Sequence, residues 1–241
     1  ISDASGFLTN LVVGGSSSGT DADKEGPRIK AYLNDELFVN GGITNQNPVL
    51  IANLADTSGI NTAGTGIGHD IIATLDNDNN RYFILNDFYQ GELNSYQQGT
   101  VRFQLPVLDP GPHTLKIKAW DVVNNSNEVL LDFIVVNDTE LELNHVLNYP
   151  NPFTNATTFW FEHNKPGLPL AVQLQVMTVT GRVIKTLEQV VITEGNRSAD
   201  IRWDGRDEYG DKPGRGVYLY KLRVIAPGRK QKEVLGKLVM L

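Results

Sequence analysis

The sequence predicts an all-β protein built as two β-sandwich domains in series. Three observations favour this fold class. Apolar and polar residues alternate along many short segments, turn-forming residues separate those segments, and the two halves of the chain differ in charge. Short strands separated by Gly, Pro, Asn and Asp are typical of a sandwich. The 241 residues also exceed what one small domain usually needs.

The alternation of apolar and polar residues is clearest in 114–120, where Leu115, Ile117 and Ala119 fall on one face of a strand. The same period of two runs through 172–176 and 218–224. Shorter strands are predicted at 28–33, 49–55, 70–75, 81–85, 100–105, 128–136, 158–162, 182–187, 199–203 and 233–240. The one segment that suggests an amphipathic helix is 87–96.

A change of charge divides the chain. Residues 1–137 carry 7 basic and 16 acidic side chains, a balance of −9, whereas residues 138–241 carry 14 and 12, a balance of +2. The boundary is the polar segment Asn137–Glu140, which follows an apolar run and predicts a linker.

The predicted domains are therefore 26–137 and 138–241. Residues 1–25 contain the Gly- and Ser-rich run 14–19, which cannot bury enough apolar surface to order itself. We interpret them as a linker or the end of a preceding domain.

Composition excludes several classes of site and partner. The sequence has no cysteine, which rules out a thiol nucleophile, disulfides and zinc–thiolate sites in this chain. No stretch approaches roughly 18 consecutive apolar residues, so we expect no membrane-spanning helix. The acidic first half repels phosphate, and nucleic acid is not an expected partner. Because the chain begins at Ile1 without a leader, we expect a fragment of a longer protein.

Four scattered histidines are the first candidates for catalysis: His69, His113, His145 and His163. His69 is the most suggestive, because it stands beside Asp70 among glycines that can present an imidazole. No serine or cysteine elbow accompanies it, so we prefer a structural role at a hairpin or strand end. His113 is interpreted as structural as well. The residues alone therefore predict no catalytic site.

The loop Asp76–Asn80 offers the oxygen ligands that a calcium ion prefers. It lacks the Gly and Glu positions of an EF-hand loop, and Asp and Asn are common in turns. We prefer a turn, with calcium at Asp76 and Asp78 as the alternative. The acidic group 21–25 is interpreted as a solvated linker.

Basic residues gather near the C-terminus: Arg229, Lys230, Lys232 and Lys237. Charges on an edge strand protect it against pairing with another edge, and a docking surface is the alternative. Five aromatic residues on predicted strands are expected in the cores: Trp120, Trp160, Trp203, Tyr218 and Tyr220.

Four segments of the second half match one family pattern: Asn148–Phe153, Val176–Ile184, Trp203–Asp207 and Gly216–Tyr220. In order and spacing they resemble the C-terminal sorting domains of the Bacteroidetes type IX secretion system. They also resemble the related immunoglobulin-like domain of the flagellar hook-capping protein. The resemblance implies that the sandwiches are immunoglobulin-like.

The first half is similar to the region that follows the peptidase domain in PorU-type sortases, which are gingipain-like cysteine peptidases. The segments that carry this similarity are Gly26–Ile29, Phe38–Gly42, Ser58–Asn61, Gly66–Asp70, Leu85–Tyr89 and Gly111–Asp121. Together the two resemblances extend from Gly26 to Leu241.

The family resemblance implies an accessory role for this chain. In that family the parent protein cleaves sorting domains from cargo and attaches the cargo to a surface lipopolysaccharide, using a Cys and a His in its upstream peptidase domain. Because this chain has no cysteine, the resemblance carries no catalytic, cofactor or metal residue onto it. It implies a brace for the upstream peptidase domain, followed by a secretion and docking domain.

The implied partners are a PorV-type outer-membrane barrel and other attachment-complex proteins at the cell surface, without membrane insertion. The full Trp203–Asp207 turn favours the hook-capping branch of the pattern, which leaves open whether 238–241 act as a secretion signal.

Two alternatives remain from the sequence. The first half can be an adhesin-type or carbohydrate-binding sandwich of another type IX secreted protein, which exposed aromatic residues on one face would favour. The chain can also be a hydrolase through His69 and Asp70, which an unchanged turnover after His69→Ala would contradict.

Overall fold

The computed structural model describes residues 23–63 and 68–241. These residues form sixteen β-strands and two short 3₁₀ turns, Asn86–Phe88 and Pro227–Arg229, with no α-helix. The all-β prediction is therefore confirmed. The run 14–19, Asp21 and the residues 64–67 lie outside the described residues.

Nine strands form the first sandwich: β1 (Arg28–Leu33), β2 (Ile43–Thr44), β3 (Val49–Ala55), β4 (Ile72–Leu75), β5 (Tyr82–Ile84), β6 (Tyr89–Gly91), β7 (Gln98–Gln104), β8 (Gly111–Trp120) and β9 (Ser126–Val135). They make one sheet in the order β1-β3-β7-β6 and a second in the order β2-β9-β8-β4-β5. The short β2 runs parallel to β9, and the other pairs in these sheets are antiparallel.

The predicted face of β8 forms the centre of the first core. Leu115, Ile117 and Ala119 are all fully buried, while Lys116 and Lys118 between them are only half-buried. Complete burial of a Leu or Ile side chain contributes about 1.5–3 kcal/mol. The alternation along β8 therefore fixes which side of this sheet faces the core.

Seven strands form the second sandwich: β10 (Leu143–Tyr149), β11 (Thr157–His163), β12 (Leu170–Thr178), β13 (Val183–Val191), β14 (Ile201–Trp203), β15 (Gly216–Ala226) and β16 (Lys230–Met240). A three-stranded sheet, β10-β11-β14, packs against a four-stranded sheet, β13-β12-β15-β16. Aromatic rings fill the core between them. Phe153 meets Trp203 edge-on at 5.5 Å between centroids, and Phe159 meets Tyr220 edge-on at 5.0 Å.

The structure corrects the predicted helix at 87–96. This segment contains the end of a 3₁₀ turn and then β6, whose residue Tyr89 pairs with Val101 of β7. The sequence also gave no sign of β2 and β10. The first has two residues, and β10 is irregular, because His145 has a positive φ of 42° where the register with β11 shifts.

Three of the five aromatic residues expected in the cores are buried: Trp203, Tyr218 and Tyr220. Trp120 and Trp160 are only half-buried. Lys118 Nζ lies 4.6 Å from the Trp120 ring centroid and Arg197 Cζ lies 4.4 Å from that of Trp160. Stacked cations thus cover the exposed faces of these two rings.

Candidate functional site

His69 lies beside an aromatic ring. Its imidazole is 4.3 Å from the Trp120 ring, centroid to centroid, and is half-buried. Within residues 23–63 and 68–241, no hydrogen bond links His69 to a hydroxyl or a carboxylate. A nucleophile–base pair needs such a bond, so the described geometry gives His69 a packing contact and no catalytic partner.

His113 connects a turn to the start of β8. Its Nδ1 lies 2.9 Å from Asp76 Oδ2, and its Nε2 lies 2.8 Å from the carbonyl oxygen of Asp109. Burial raises the pKa of Asp76, but hydrogen bonds from His113 and Thr114 and the charge of Arg81 outweigh it. The pKa of Asp76 therefore lies below its usual value, and the His113 ring connects the turn at Asp76 to the backbone at Asp109.

The Asp76–Asn80 loop has the form of a turn. Asp76 and Asn77 have φ values of 55° and 54°, and Asp78 Oδ1 accepts hydrogen bonds from the backbone and side chain of Asn80. These contacts use the carboxylates of Asp76 and Asp78 within the protein. Calcium binding at Asp76 and Asp78 stays a prediction from the sequence.

A different group of carboxylates meets at one end of the first sandwich. Oxygen atoms of Asp23, Asp56 and Asp121 all lie within 4.8 Å of one another. Because these residues are far apart in the sequence, only the fold brings them together. They are the described residues best placed to offer hard oxygen ligands to a divalent cation.

Each of these carboxylates also holds a loop. The fully buried Asp121 accepts backbone hydrogen bonds from Val123 (2.9 Å) and Asn125 (2.7 Å). Asp23 accepts a side-chain hydrogen bond from the Ser58 hydroxyl at 2.5 Å. The acidic group at 21–25, interpreted as a solvated linker, therefore includes a carboxylate that anchors the chain.

The environment separates the pKa values of two members of this group. Burial raises the pKa of Asp56, and the charges of Asp121 and Asp23 raise it further, against hydrogen bonds from Ser58 and Gly59 that lower it. The hydrogen bonds from Ser58 and Glu25 lower the pKa of Asp23. The pKa values of Asp56 and Asp23 therefore shift in opposite directions.

The second sandwich presents a sheet surface of mixed character. We call the solvent-facing side of the sheet β13-β12-β15-β16 the outer face. Val190, Val217 and Leu235 on this face are 67%, 50% and 70% exposed. Between them Glu233 pairs with Lys221 at 2.8 Å and with Arg223 at 3.6 Å. The outer face thus carries ion pairs at Glu233 and exposed apolar side chains at three separate places: Leu235 beside the ion pairs on β16, Val217 near the start of β15, and Val190 on the opposite edge strand β13.

The edge of this sheet that is formed by β16 is only partly covered by other backbone. At the end of β16, Phe153 N donates to Val239 O (3.0 Å) and Leu241 N donates to Phe153 O (2.8 Å). Near Leu235, the outward backbone groups of β16 have no backbone partner among the described residues. Lys237 forms no ion pair with those residues. The basic tail predicted from the sequence is thus an edge strand with a partly free edge.

No helix among the described residues has the length and apolar character to cross a bilayer. No protein-family model matches the chain. No curated protein matches it either.

Solved structures do match. The crystal structure of dimeric latent PorU from Porphyromonas gingivalis is 32% identical in sequence, over 91% of this chain and 20% of that chain, with a TM-score of 0.47. The chain resembles PorU. It spans 20% of the length of that PorU chain. The identity extends over both sandwiches, so the resemblance to PorU predicted from the sequence motifs is confirmed.

Two other matches have much lower identity. Salmonella α2-macroglobulin reacted with methylamine is 8% identical over 93% of this chain and 15% of that chain, with a TM-score of 0.32. The C-terminal domain of the antigen I/II polypeptide BspA from Streptococcus agalactiae is 10% identical over 88% of this chain and 99% of that chain, with a TM-score of 0.28.

Proposed function

We propose that this chain is a non-catalytic C-terminal part of a PorU-type sortase of the type IX secretion system, secreted to the cell surface. In this proposal the first sandwich braces the upstream peptidase domain, and the second docks to a PorV-type barrel in the outer membrane. The observation that carries the docking role is on the outer face, where the exposed Leu235 lies on the partly free edge strand β16.

The physical chemistry of the outer face supports docking. A free edge strand can accept a strand of a partner, whose backbone supplies hydrogen bonds while side-chain contacts supply specificity. Leu235 is 70% exposed on that edge strand and Lys237 is exposed beside it. Burial of Leu235 by a partner would contribute free energy that the isolated chain does not gain.

Binding of the full chain to a purified PorV-type barrel, measured at two salt concentrations, tests this proposal. We expect Leu235→Asp to weaken binding at least about tenfold, which corresponds to about 1.4 kcal/mol. Leu130→Asp is the matched control, because Leu130 is 55% exposed on β9 of the first sandwich. Equal binding of both variants, or no binding of the unmodified chain, would contradict docking through the outer face.

The carbohydrate-binding alternative has less support. Tyr82 and Phe88 are 53% and 44% exposed. Tyr82 lies on β5 of the five-stranded sheet, whereas Phe88 packs against Phe103 of β7 in the other sheet. A sugar-binding platform needs its aromatic residues on one face. Tyr82 and Phe88 do not share one, and the 71% exposed Tyr96 lies in the loop between β6 and β7.

A further inference from the structure

The segment between the two sandwiches is short and is anchored at both ends. Val135 is 2% exposed in the first core and Leu141 is 3% exposed in the second. Only residues 136–140 connect the two cores. We call residues 136–142 the strap, because side chains of the second sandwich bind it along its length.

Asn164 is the main contact of the strap. This residue is fully buried at the end of β11. Its Nδ2 donates to the carbonyl oxygens of Asn137 (3.0 Å) and Glu140 (2.9 Å), and its Oδ1 accepts from Glu142 N (2.9 Å). Asn164 therefore satisfies three strap groups at once, which fixes the path of the strap over the second sandwich.

Two lysine side chains bind the backbone carbonyl of Asp138, which lies between Asn137 and Glu140 in the strap. The Nζ atoms of Lys165 and Lys230 both donate to the carbonyl oxygen of Asp138, the latter at 3.3 Å. Lys165 is 7% exposed. At the start of the strap, Val136 N donates to Thr44 O of the first sandwich at 2.9 Å. Backbone groups at both ends and in the middle of the strap are thus bound within the protein.

The two sandwiches also touch directly. Asn34 Nδ2 donates to Asn196 Oδ1 at 2.7 Å, and Asn196 Nδ2 donates to His163 O at 2.8 Å. Asn196 is 3% exposed, and Thr44 beside it is fully buried. A buried amide that bonds to both sides fixes the orientation of one sandwich against the other, because moving either side leaves a buried polar group without a partner.

The contact is close enough to require a glycine. A Cβ atom on Gly195 would lie 2.0 Å from Asp35 Cγ across the interface. Asp35 Oδ1 accepts a hydrogen bond from Leu37 N at 3.0 Å, which holds the carboxylate in place. The first sandwich therefore fits against a surface of the second that has no side chain at this point.

From these contacts we infer that the strap is locked and that the two sandwiches form a single rigid body, joined by Asn164 and Asn196. The inference goes beyond the proposed function, since it holds whether or not the outer face docks to a partner. The side chains of Asn137, Thr139 and Glu140 are exposed. A protease also needs a backbone that can open, and the carbonyl groups of Asn137, Asp138 and Glu140 are held by hydrogen bonds. Opening of the strap therefore requires these hydrogen bonds to break.

A distance measurement on the full chain tests the rigid body. The sequence has no cysteine, so Leu130→Cys and Val190→Cys place two spin labels at exposed strand positions, one on each sandwich. We expect one narrow distance distribution by double electron–electron resonance. A broad or multimodal distribution in the otherwise unmodified chain would overturn the inference.

The variant Asn164→Ala separates the strap from general stability. With the same labels, we expect it to broaden the distance distribution and to raise proteolysis within 136–142 by about 10–100-fold, because opening no longer breaks the three hydrogen bonds of the buried Asn164 side chain. Asn155→Ala, at an exposed asparagine of the same sandwich, should leave both readouts unchanged. Equal behaviour of the two variants would show that Asn164 does not lock the strap.

The variant Gly195→Ala probes the direct contact independently. It should broaden the distance distribution without cleavage of the strap, because it disturbs the fit against Asp35 and leaves the Asn164 bonds intact. If Gly195→Ala keeps a single narrow distance at its original value, the contact at Asp35 does not set the orientation and that part of the inference fails.

Discussion

Hydrogen bonds on both sides of His163 decide which ring nitrogen carries its proton. Nδ1 accepts from Lys165 N at 3.2 Å, so Nε2 is the protonated nitrogen and donates to Thr193 Oγ1 at 3.1 Å. Thr193 Oγ1 in turn donates to Gly195 O at 3.1 Å. The neutral imidazole thus orders the turn that carries Gly195 and Asn196. Burial lowers the pKa of His163 to about 4.

We predict that His163 makes the chain sensitive to mild acid. Its folded pKa of about 4 lies below the usual 6.5, so the unfolded chain binds the proton first. Stability is therefore lost as the pH falls from 6.5 towards 4, and the loss reaches about 3 kcal/mol below that range. Urea unfolding of the chain at pH 7, 5 and 4 should show this slope.

The variant His163→Gln checks the assignment. Its amide can still donate to Thr193 but does not titrate, so the free energy of unfolding should depend less steeply on pH. His69→Gln is the control, since His69 makes no hydrogen bond to a described residue. Identical pH slopes for His163→Gln and the unmodified chain would rule out His163 as the titrating group.

For Asp56 we predict that stability changes with pH in the direction opposite to that for His163. Its pKa is raised by burial and by the charges of Asp121 and Asp23, so ionised Asp56 destabilises the fold and this cost grows as the pH rises above 3.8. Asp56→Asn should therefore raise the free energy of unfolding at pH 7, because an amide oxygen can still accept from Ser58 N. The gain should vanish in acid, where the carboxyl is neutral.

Thermal unfolding at pH 7 and pH 3 measures this effect. Asp87→Asn, at an exposed position of the first sandwich, is the matched control and should change little. A loss of stability in Asp56→Asn at pH 7 would mean that the negative charge itself is needed, for example for a bound cation.

At the scale of the strands, one tyrosine ties three elements of the second sandwich together. Tyr220 of β15 stands opposite Gly236 of β16, and a Cβ atom on Gly236 would lie 2.2 Å from Tyr220 Cζ. The Tyr220 hydroxyl donates to Val146 O of β10 at 3.2 Å. The tyrosine ring therefore fills the space that the glycine leaves and joins the edge strand to the opposite sheet.

We predict that Gly236→Ala lowers the free energy of unfolding by about 1–3 kcal/mol, because overpacking must displace the Tyr220 ring. Chemical denaturation of the full chain measures the change. Gly214→Ala is the control, since nothing lies within 4 Å of a Cβ atom there. Equal stabilities of the two variants would show that the ring moves aside without cost.

The strands also show which parts of the fold could be predicted. Strict alternation located β8 because one face of that strand is buried and the other is not. The strand β10 escaped prediction because its register breaks at His145, and β6 because three residues carry too little pattern. The carboxylate group of Asp23, Asp56 and Asp121 escaped because its members come from distant turns, which no local pattern connects.

For the whole molecule, the polar segment Asn137–Glu140 shows the limit of composition as a guide. Polar residues at a charge boundary indicate a linker, but they do not reveal whether its backbone groups bond to water or to the protein. Here Asn164 and Lys165, which are adjacent in the sequence, supply those bonds from the end of β11. That function of the pair depends on the fold and has no signature in the sequence.

The interface between the sandwiches also predicts how the second one behaves alone. The separate segment 138–241 keeps its own buried cluster from Leu141 to Met240, so we expect it to fold. It loses the hydrogen bond from Asn34 to Asn196 across the interface, a net contribution of about 0.5–1.5 kcal/mol. For a domain of this size each kcal/mol lowers the Tm by about 4–8 °C. Scanning calorimetry should therefore show a lower Tm for 138–241 than for the full chain, which should unfold in one transition. If the full chain instead unfolds in two transitions, one of them at the Tm of the isolated segment, the sandwiches are energetically independent and the interface contributes nothing to stability.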